Sequence, residues 1–298
     1  MPYDIMNIIQ ERSFKLNMDF KIGVIVNSFR LGVIEGIKKA AEVGADGIQI
    51  YATRGEMAPD NLTPAKRREL LDMIKSYGLT ISALVGDFGH PGFCDPSLNP
   101  QRIIDSKKVL DLAKDLQTNV VTTHIGAVPD DDTCDRWKIM QEACEKLGEY
   151  GDNIEAYFAI ETGPEPAVLL KKFLDSMKSN GVRVNFDPAN LVMVVGDIAK
   201  EAVGVLGDYI VHTHAKDGIM LNRTDREIIY GLAPRPKDMP PAFKEVPLGE
   251  GDVNFPEYLK ALAATGFKGF LTIEREVGPD PEGDIRKAVS FLKEIIGK

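Results

Sequence analysis

The chain has 298 residues, with 36 Lys+Arg against 45 Asp+Glu for a formal net charge of -9, and 44% of its residues are hydrophobic. Those are globular proportions that exclude a disordered chain. The acidic balance argues against a nucleic-acid binder or a protein held on an anionic membrane surface.

Residues 1–20 carry no basic region ahead of an apolar run, so no secretory signal is expected, and they read as an N-terminal extension. The first strand is expected at Ile22–Val26, with a helical pattern through Val33, Ile37, Ala40 and Val43 that stops at Gly44. A second strand follows at Gly47–Tyr51, then a helix opened by Thr63 and Pro64 and ended by Gly78. Leu79–Val85, a helix over Pro100–Leu116, the strand Asn119–His124 and a helix over Asp132–Tyr150 complete the first half. The second half repeats the rhythm: strand Tyr157–Glu161 and helix Glu165–Ser179, then strand Val182–Asp187 and a helical stretch Leu191–Leu206. Strand Tyr209–His214 leads into a long polar segment rich in Pro and Gly, residues 215–250, and then helix Phe255–Thr265, strand Gly269–Glu274 and helix Glu282–Ile296.

Such alternation means a parallel sheet, and short continuous apolar strands are what a sheet covered on both faces requires. Eight strand–helix units in this length predict an α/β fold, a single (β/α)8 TIM barrel over 21–298, with 215–250 as a long active-site loop after strand seven. An open dinucleotide-binding sheet is disfavoured, because the first turn reads NSFRLG and lacks the glycine fingerprint. No run of ~18 uncharged apolar residues exists, so no membrane span is expected. Three cysteines, Cys94, Cys134 and Cys144, form no CxxC pair, and a reduced, cytoplasmic setting is the expectation.

Catalytic groups of such barrels stand at the C-terminal ends of the strands. Strand four ends in His124, five in Glu161, six in Asp187, seven in His214 and eight in Glu274. His212 lies two residues earlier on the same strand face as His214 and reads as a hydrogen-bonded core or supporting histidine, and His90 follows strand three, so all four histidines are expected at or near one rim. Three carboxylates converging on one mouth repel each other and lose solvation, and a divalent cation relieves both costs. Oxygen donors plus one imidazole suit Mn²⁺ first, with Mg²⁺ or Co²⁺ compatible, and the absence of thiolates disfavours structural zinc.

The segments AIETG around Glu161, VNFDPANL around Asp187, VHTHAKDG around His214, FLTIERE around Glu274 and the tract VPLGEGDVNFPEYLKAL give the chain its resemblance. It resembles the xylose-isomerase-like TIM-barrel superfamily of sugar (phosphate) isomerases and epimerases, with ketose 3-epimerases the best-understood nearby members. That resemblance implies metal ligands Glu161, Asp187, His214 and Glu274, with Glu161 and Glu274 as catalytic acid and base on opposite faces of the substrate carbon. Two positions depart from the pattern: Asn190 stands where epimerases typically carry a histidine, and Lys216 and Asp217 stand where an arginine often follows.

The expected chemistry is proton transfer next to a carbonyl through a metal-stabilised enediolate. His124, His90, Asn190, Lys216 and Glu165 are the candidate substrate contacts, and Arg223, Arg226, Arg235 and Lys237 of the long segment are candidates to receive an anionic group. The expected partner is a small-molecule sugar or sugar phosphate, with no nucleic acid and no membrane. The resemblance is also compatible with a homo-oligomer. Two rivals stay open: a metal-dependent lyase or dehydratase of a keto-sugar or keto-inositol, and a non-catalytic sugar-binding barrel or accessory subunit.

Overall fold

A computed structural model describes residues 18–298. The expected extension therefore lies, through residue 17, outside the described residues. From Met18 on the chain is packed: Met18 is buried and its amide donates to the Ile296 carbonyl at 3.2 Å.

Seven strands, β1 (Lys21–Ile25), β2 (Gly47–Tyr51), β3 (Thr80–Val85), β4 (Val120–Thr123), β5 (Tyr157–Glu161), β6 (Val182–Phe186) and β7 (Ile210–Ala215), follow in order. A pair outside the barrel, β8 (Asp217–Met220) and β9 (Phe243–Val246), precedes the last strand, β10 (Phe270–Ile273). All but β8 and β9 are parallel and close in the order β1-β10-β7-β6-β5-β4-β3-β2, with Lys21 opposite Phe270 at the closure. The eightfold barrel expected from the strand–helix alternation is the observed fold.

The outer ring holds α1 (Val33–Glu42), α2 (Pro64–Ser76), α3 (Asn99–Asp115), α4 (Asp135–Ile154) and α5 (Ala167–Asp175). It continues with α7 (Ala199–Leu206), α9 (Phe255–Ala264) and α10 (Pro281–Ile296), while the single turn α6 (Pro188–Asn190) and the short α8 (Arg226–Ile229), between β8 and β9, border the mouth. Side chains start several of them: Thr63 Oγ1 accepts from the Lys66 amide at 3.4 Å, Asn254 Oδ1 from Glu257 at 3.3 Å and Asp280 Oδ1 from Gly283 at 2.9 Å. Their apolar stripes bury Ile37, Ile74, Leu110, Leu147, Phe173 and Leu292 against the outside of the barrel, which forms the main core.

Two expectations on elements change. The stretch Leu191–Leu206 is not one helix. Leu191–Val195 forms a wide turn in which the Gly196 amide reaches the Leu191 carbonyl at 2.9 Å, and α7 starts only at Ala199. The segment 215–250 is not a plain loop either: β8 and β9 form an antiparallel hairpin, Asp217 opposite Val246 and Met220 opposite Phe243. The base of this lid is tied by Asp217, whose carboxylate accepts from the amides of Gly218 (2.9 Å), Gly249 (2.9 Å), Gly251 (3.0 Å) and Val253 (3.2 Å). Gly251 must be glycine there, because a Cβ would stand 2.2 Å from Asp217 Oδ1. Among the described residues, no helix is long and apolar enough to cross a membrane.

Candidate active site

The ends of four neighbouring barrel strands bring Glu161, Asp187, His214 and Glu274 together. One donor atom from each lies within 4.8 Å of every other, and all four side chains are buried. His214 Nδ1 faces all three carboxylates, at 3.5 Å from Glu161 Oε1, 3.4 Å from Asp187 Oδ2 and 3.2 Å from Glu274 Oε2.

Asp187 divides its two oxygens between two tasks. Oδ1 accepts from the Asn190 amide at 2.9 Å and so caps α6, while Oδ2 is buried with no hydrogen-bond partner. His214 Nδ1 is likewise buried and without a hydrogen bond. Two unpartnered buried polar atoms 3.4 Å apart fit a site that would hold a cation, since burying such groups without a partner is costly. The donor set, three carboxylates and one imidazole, fits a hard divalent ion.

The shell behind the four was not anticipated from the sequence. Gln49 Oε1 lies 3.0 Å from His214 Nε2, whose other polar neighbour is Asn185 Nδ2 at 3.2 Å, and Gln49 Nε2 in turn donates to Thr122 Oγ1 at 2.7 Å; these contacts fix the ring with Nδ1 toward the carboxylates. Asn185 Nδ2 donates to Glu161 Oε2 at 3.2 Å, and Asn185 Oδ1 accepts from His212 Nδ1 at 2.8 Å. The register of the sheet shifts at Ile48/Gln49 and again at Val184/Asn185. Local irregularities of this kind re-aim side chains beside functional sites. The signal available in the sequence was a polar residue inside an otherwise apolar strand, GIQIY and VRVNF.

His212 is not at the rim. It is 2% exposed inside the barrel, with Nε2 3.0 Å from Thr272 Oγ1 and 3.3 Å from Ser82 Oγ. Burial holds it well below the usual histidine range, so it is a neutral member of a closed network. The other three histidines border one cavity of about 310 Å³, together with Tyr51, Asn190, Lys216, Tyr230 and both Glu161 and Glu274.

Charge is dense at this mouth. Burial opposes the imidazolium of His214, but Glu161 and Glu274 outweigh it and hold the group well above its ordinary range. For Glu274 burial is outweighed by Lys216 and His214, which keep it a carboxylate. Asp187 is pushed up, mainly by burial. His124 Nδ1 bonds Asp87 Oδ2 at 2.9 Å, and its Nε2 lies 3.6 Å from Glu161 Oε1. Burial lowers its basicity, but Glu161 and Asp87 push it up to about 9.

The remaining candidates fall in different places. Asn190 Nδ2 donates to Glu161 Oε1 at 3.0 Å, so this amide borders the cavity while steadying the glutamate. Gly163, with a φ of +146°, makes room for it: a Cβ there would meet Asn190 Cβ at 2.6 Å and the Tyr230 hydroxyl at 2.8 Å. Lys216 Nζ donates to Glu274 Oε2 at 3.2 Å and also to Glu276, so its charge is already paired. His90 is exposed at the edge of the cavity, under Gly231 of the lid. Glu165 does not border the cavity; it is 1% exposed and accepts from the Val128 amide at 3.2 Å. The basic residues of the lid also turn elsewhere. Arg226 pairs with Asp130 at 3.0 Å, Arg223 donates to the Val195 carbonyl at 3.1 Å, and Lys237 is exposed.

The sequence model of the xylose isomerase-like TIM barrel family matches residues 37–295. No curated protein matches the chain. Among solved structures, a xylose isomerase domain protein from Planctomyces limnophilus is similar at 23% identity and a TM-score of 0.76, covering 95% of this chain and 100% of that one. A D-tagatose 3-epimerase-like protein is similar at 19% identity and a TM-score of 0.72, covering 93% and 97%. The probable 3-DHS dehydratase AsbF from Bacillus anthracis is similar at 18% identity and a TM-score of 0.71, covering 92% and 99%. At these identities the likeness is one of fold.

Proposed function

The chain belongs to the xylose isomerase-like TIM-barrel family, and from that premise we propose that it is a divalent-metal-dependent isomerase or epimerase of sugars or sugar phosphates. The observation that carries this reading is a pair of glutamates, Glu161 and Glu274, that border the same cavity and contribute to the same four-residue cluster. A binding protein needs no such pair. Glu161, Asp187, His214 and Glu274 would hold the cation, Mn²⁺ first, and when bound it supplies Lewis acidity at the substrate carbonyl.

The protein's own groups then do the proton chemistry. Glu274, kept ionised by Lys216, is suited to take the proton next to the carbonyl. Glu161, steadied by the amides of Asn185 and Asn190, takes up a proton from solvent in the cavity and delivers it from the other side. Delivery to the same carbon inverts it, and delivery to the neighbouring carbon isomerises the sugar. His124, oriented by Asp87, and Asn190 are placed to contact substrate hydroxyls.

A dehydratase is the second reading, favoured by the Asp87–His124 pair. Such a pair could protonate a leaving hydroxyl, and the probable dehydratase from Bacillus anthracis shares the fold. Incubation with Mn²⁺ and a panel of ketoses in D₂O tests both. Deuterium in recovered sugar is the expected result, and a dehydrated product would favour the second reading. Glu274→Gln is expected to lower turnover by ~10²–10⁴ with the fold retained; normal turnover in that variant would sink the assignment.

A further inference from the structure

The segment that joins β7 to β9 reaches across the barrel mouth and is held on the far side. It is rooted at β7, yet α8 is fixed to the stretch around the start of α4, where Arg226 pairs with Asp130 at 3.0 Å and Glu227 pairs with Arg136. In the closed sheet β5 and β6 lie between those two attachments. The Asp225 carboxylate starts α8 by accepting from the Glu227 amide at 2.8 Å, and the Tyr230 amide ends it on the Arg226 carbonyl at 2.9 Å. Tyr230 is thus set in place by a fastened turn.

Its side chain borders the cavity of the candidate active site. The ring lies 5.9 Å from that of His124, centroid to centroid. The hydroxyl comes down on Gly163, two residues past the end of β5, where a Cβ would stand 2.8 Å from it. Gly163 has a φ of +146°, so both the backbone and the approaching phenol require glycine there. The same imagined Cβ would be 2.6 Å from Asn190 Cβ, which puts the hydroxyl beside the amide that steadies Glu161. Among the described residues the Tyr230 hydroxyl makes no hydrogen bond, and it is not sealed away from the cavity. Burial, Glu161 and Glu165 hold the phenol well above its ordinary range, so it keeps its proton and can donate. A packed ring with a free donor at a cavity wall is suited to a ligand oxygen.

We infer that Tyr230 is a specificity residue, whose hydroxyl donates a hydrogen bond to one substrate hydroxyl on the Glu161 side of the cavity. This rests on the reading that a sugar binds at the metal-competent mouth, and it adds a selection among sugars by the presence of that hydroxyl. A site built around such a bond rejects the analogue that lacks the group, because the donor is then left unpaired.

The test is calorimetric titration of the Mn²⁺-loaded full chain, parent and Tyr230→Phe, with D-fructose, D-tagatose, D-psicose and D-sorbose, free and as 6-phosphates. The monodeoxy analogues of the tightest binder follow. Tyr230→Phe keeps the ring beside His124 and removes only the hydroxyl, so its thermal midpoint and Mn²⁺ affinity are expected to match the parent's. Its affinity for the tightest binder is expected to fall about three- to tenfold. One deoxy analogue is expected to show that same loss in the parent and no further loss in Tyr230→Phe, as two groups in direct contact require. Unchanged sugar affinity in Tyr230→Phe, an equal loss for every analogue, or no binding of any sugar to the parent would overturn the inference. Deuterium exchange by the parent, with sugar affinity unchanged in Tyr230→Phe, would remove this contact and leave the proposed activity standing. The coupled loss in a parent that exchanges no deuterium would remove the activity and leave the contact.

Discussion

Asp187 and Glu165 are both buried acids just past the ends of neighbouring strands, yet their surroundings give them opposite roles. Asp187 keeps one oxygen for the α6 amide and turns the other, unpartnered, toward His214. Its dual use explains why a strand-end aspartate reads equally well as a helix cap and as a ligand. Glu165 has one oxygen on the Val128 amide and no second partner, and burial pushes it up to about 7 from an ordinary 4.5. The folded chain therefore holds a proton that the unfolded chain has released between those two values. Stability falls as pH rises across that window and is lower by about 3 kcal/mol above it. Glu165→Gln keeps an acceptor for Val128 and cannot ionise. Urea titrations should find it more stable than the parent by up to ~3 kcal/mol at pH 8 and nearly equal to it at pH 4.5. A difference that does not change with pH would refute the assignment. Its strand-end position suggested a substrate contact, but only the packing of the loops around it reveals that the carboxyl is sealed away.

At the scale of elements, the site depends on small departures from regular structure. The register shifts in β2 and β6 occur at Gln49 and Asn185, and these two side chains orient His214 and Glu161. Strand existence was legible from apolar runs, but a register shift depends on the neighbouring strand, which periodicity along one segment cannot report. The hairpin within the long segment escaped for the same reason: DGIM and FKEV are short, and their pairing spans a long connection. Asp217 pins that lid through four backbone amides. Asp217→Ala should strand those donors and cost on the order of 3 kcal/mol in urea unfolding. It should also open the segment between β8 and β9 to limited proteolysis. Asp217→Asn, which keeps one acceptor oxygen, should fall between. Unchanged stability and unchanged cleavage in Asp217→Ala would show that the hairpin holds the lid without it.

Across the whole molecule, part of the net charge of -9 has a structural address, since three of its carboxylates crowd one histidine. A ligand that binds only the folded state raises stability by about 3 kcal/mol at a hundred times its dissociation constant. Mn²⁺ should therefore raise the thermal midpoint by several degrees, EDTA should reverse the rise, and Asp187→Asn should abolish it. A midpoint indifferent to Mn²⁺ in the parent chain would argue against the cage. The strand–helix alternation, the barrel and the four residues of the cluster could be read from the sequence, because apolar periodicity and strand ends are local properties of the chain. Two matters were left to the tertiary structure: the charge of Lys216 spent on Glu274 and Glu276, and the Gln49 and Asn185 amides set behind His214 and Glu161. Each of these is a relation between segments far apart in sequence. It exists only once the barrel has closed.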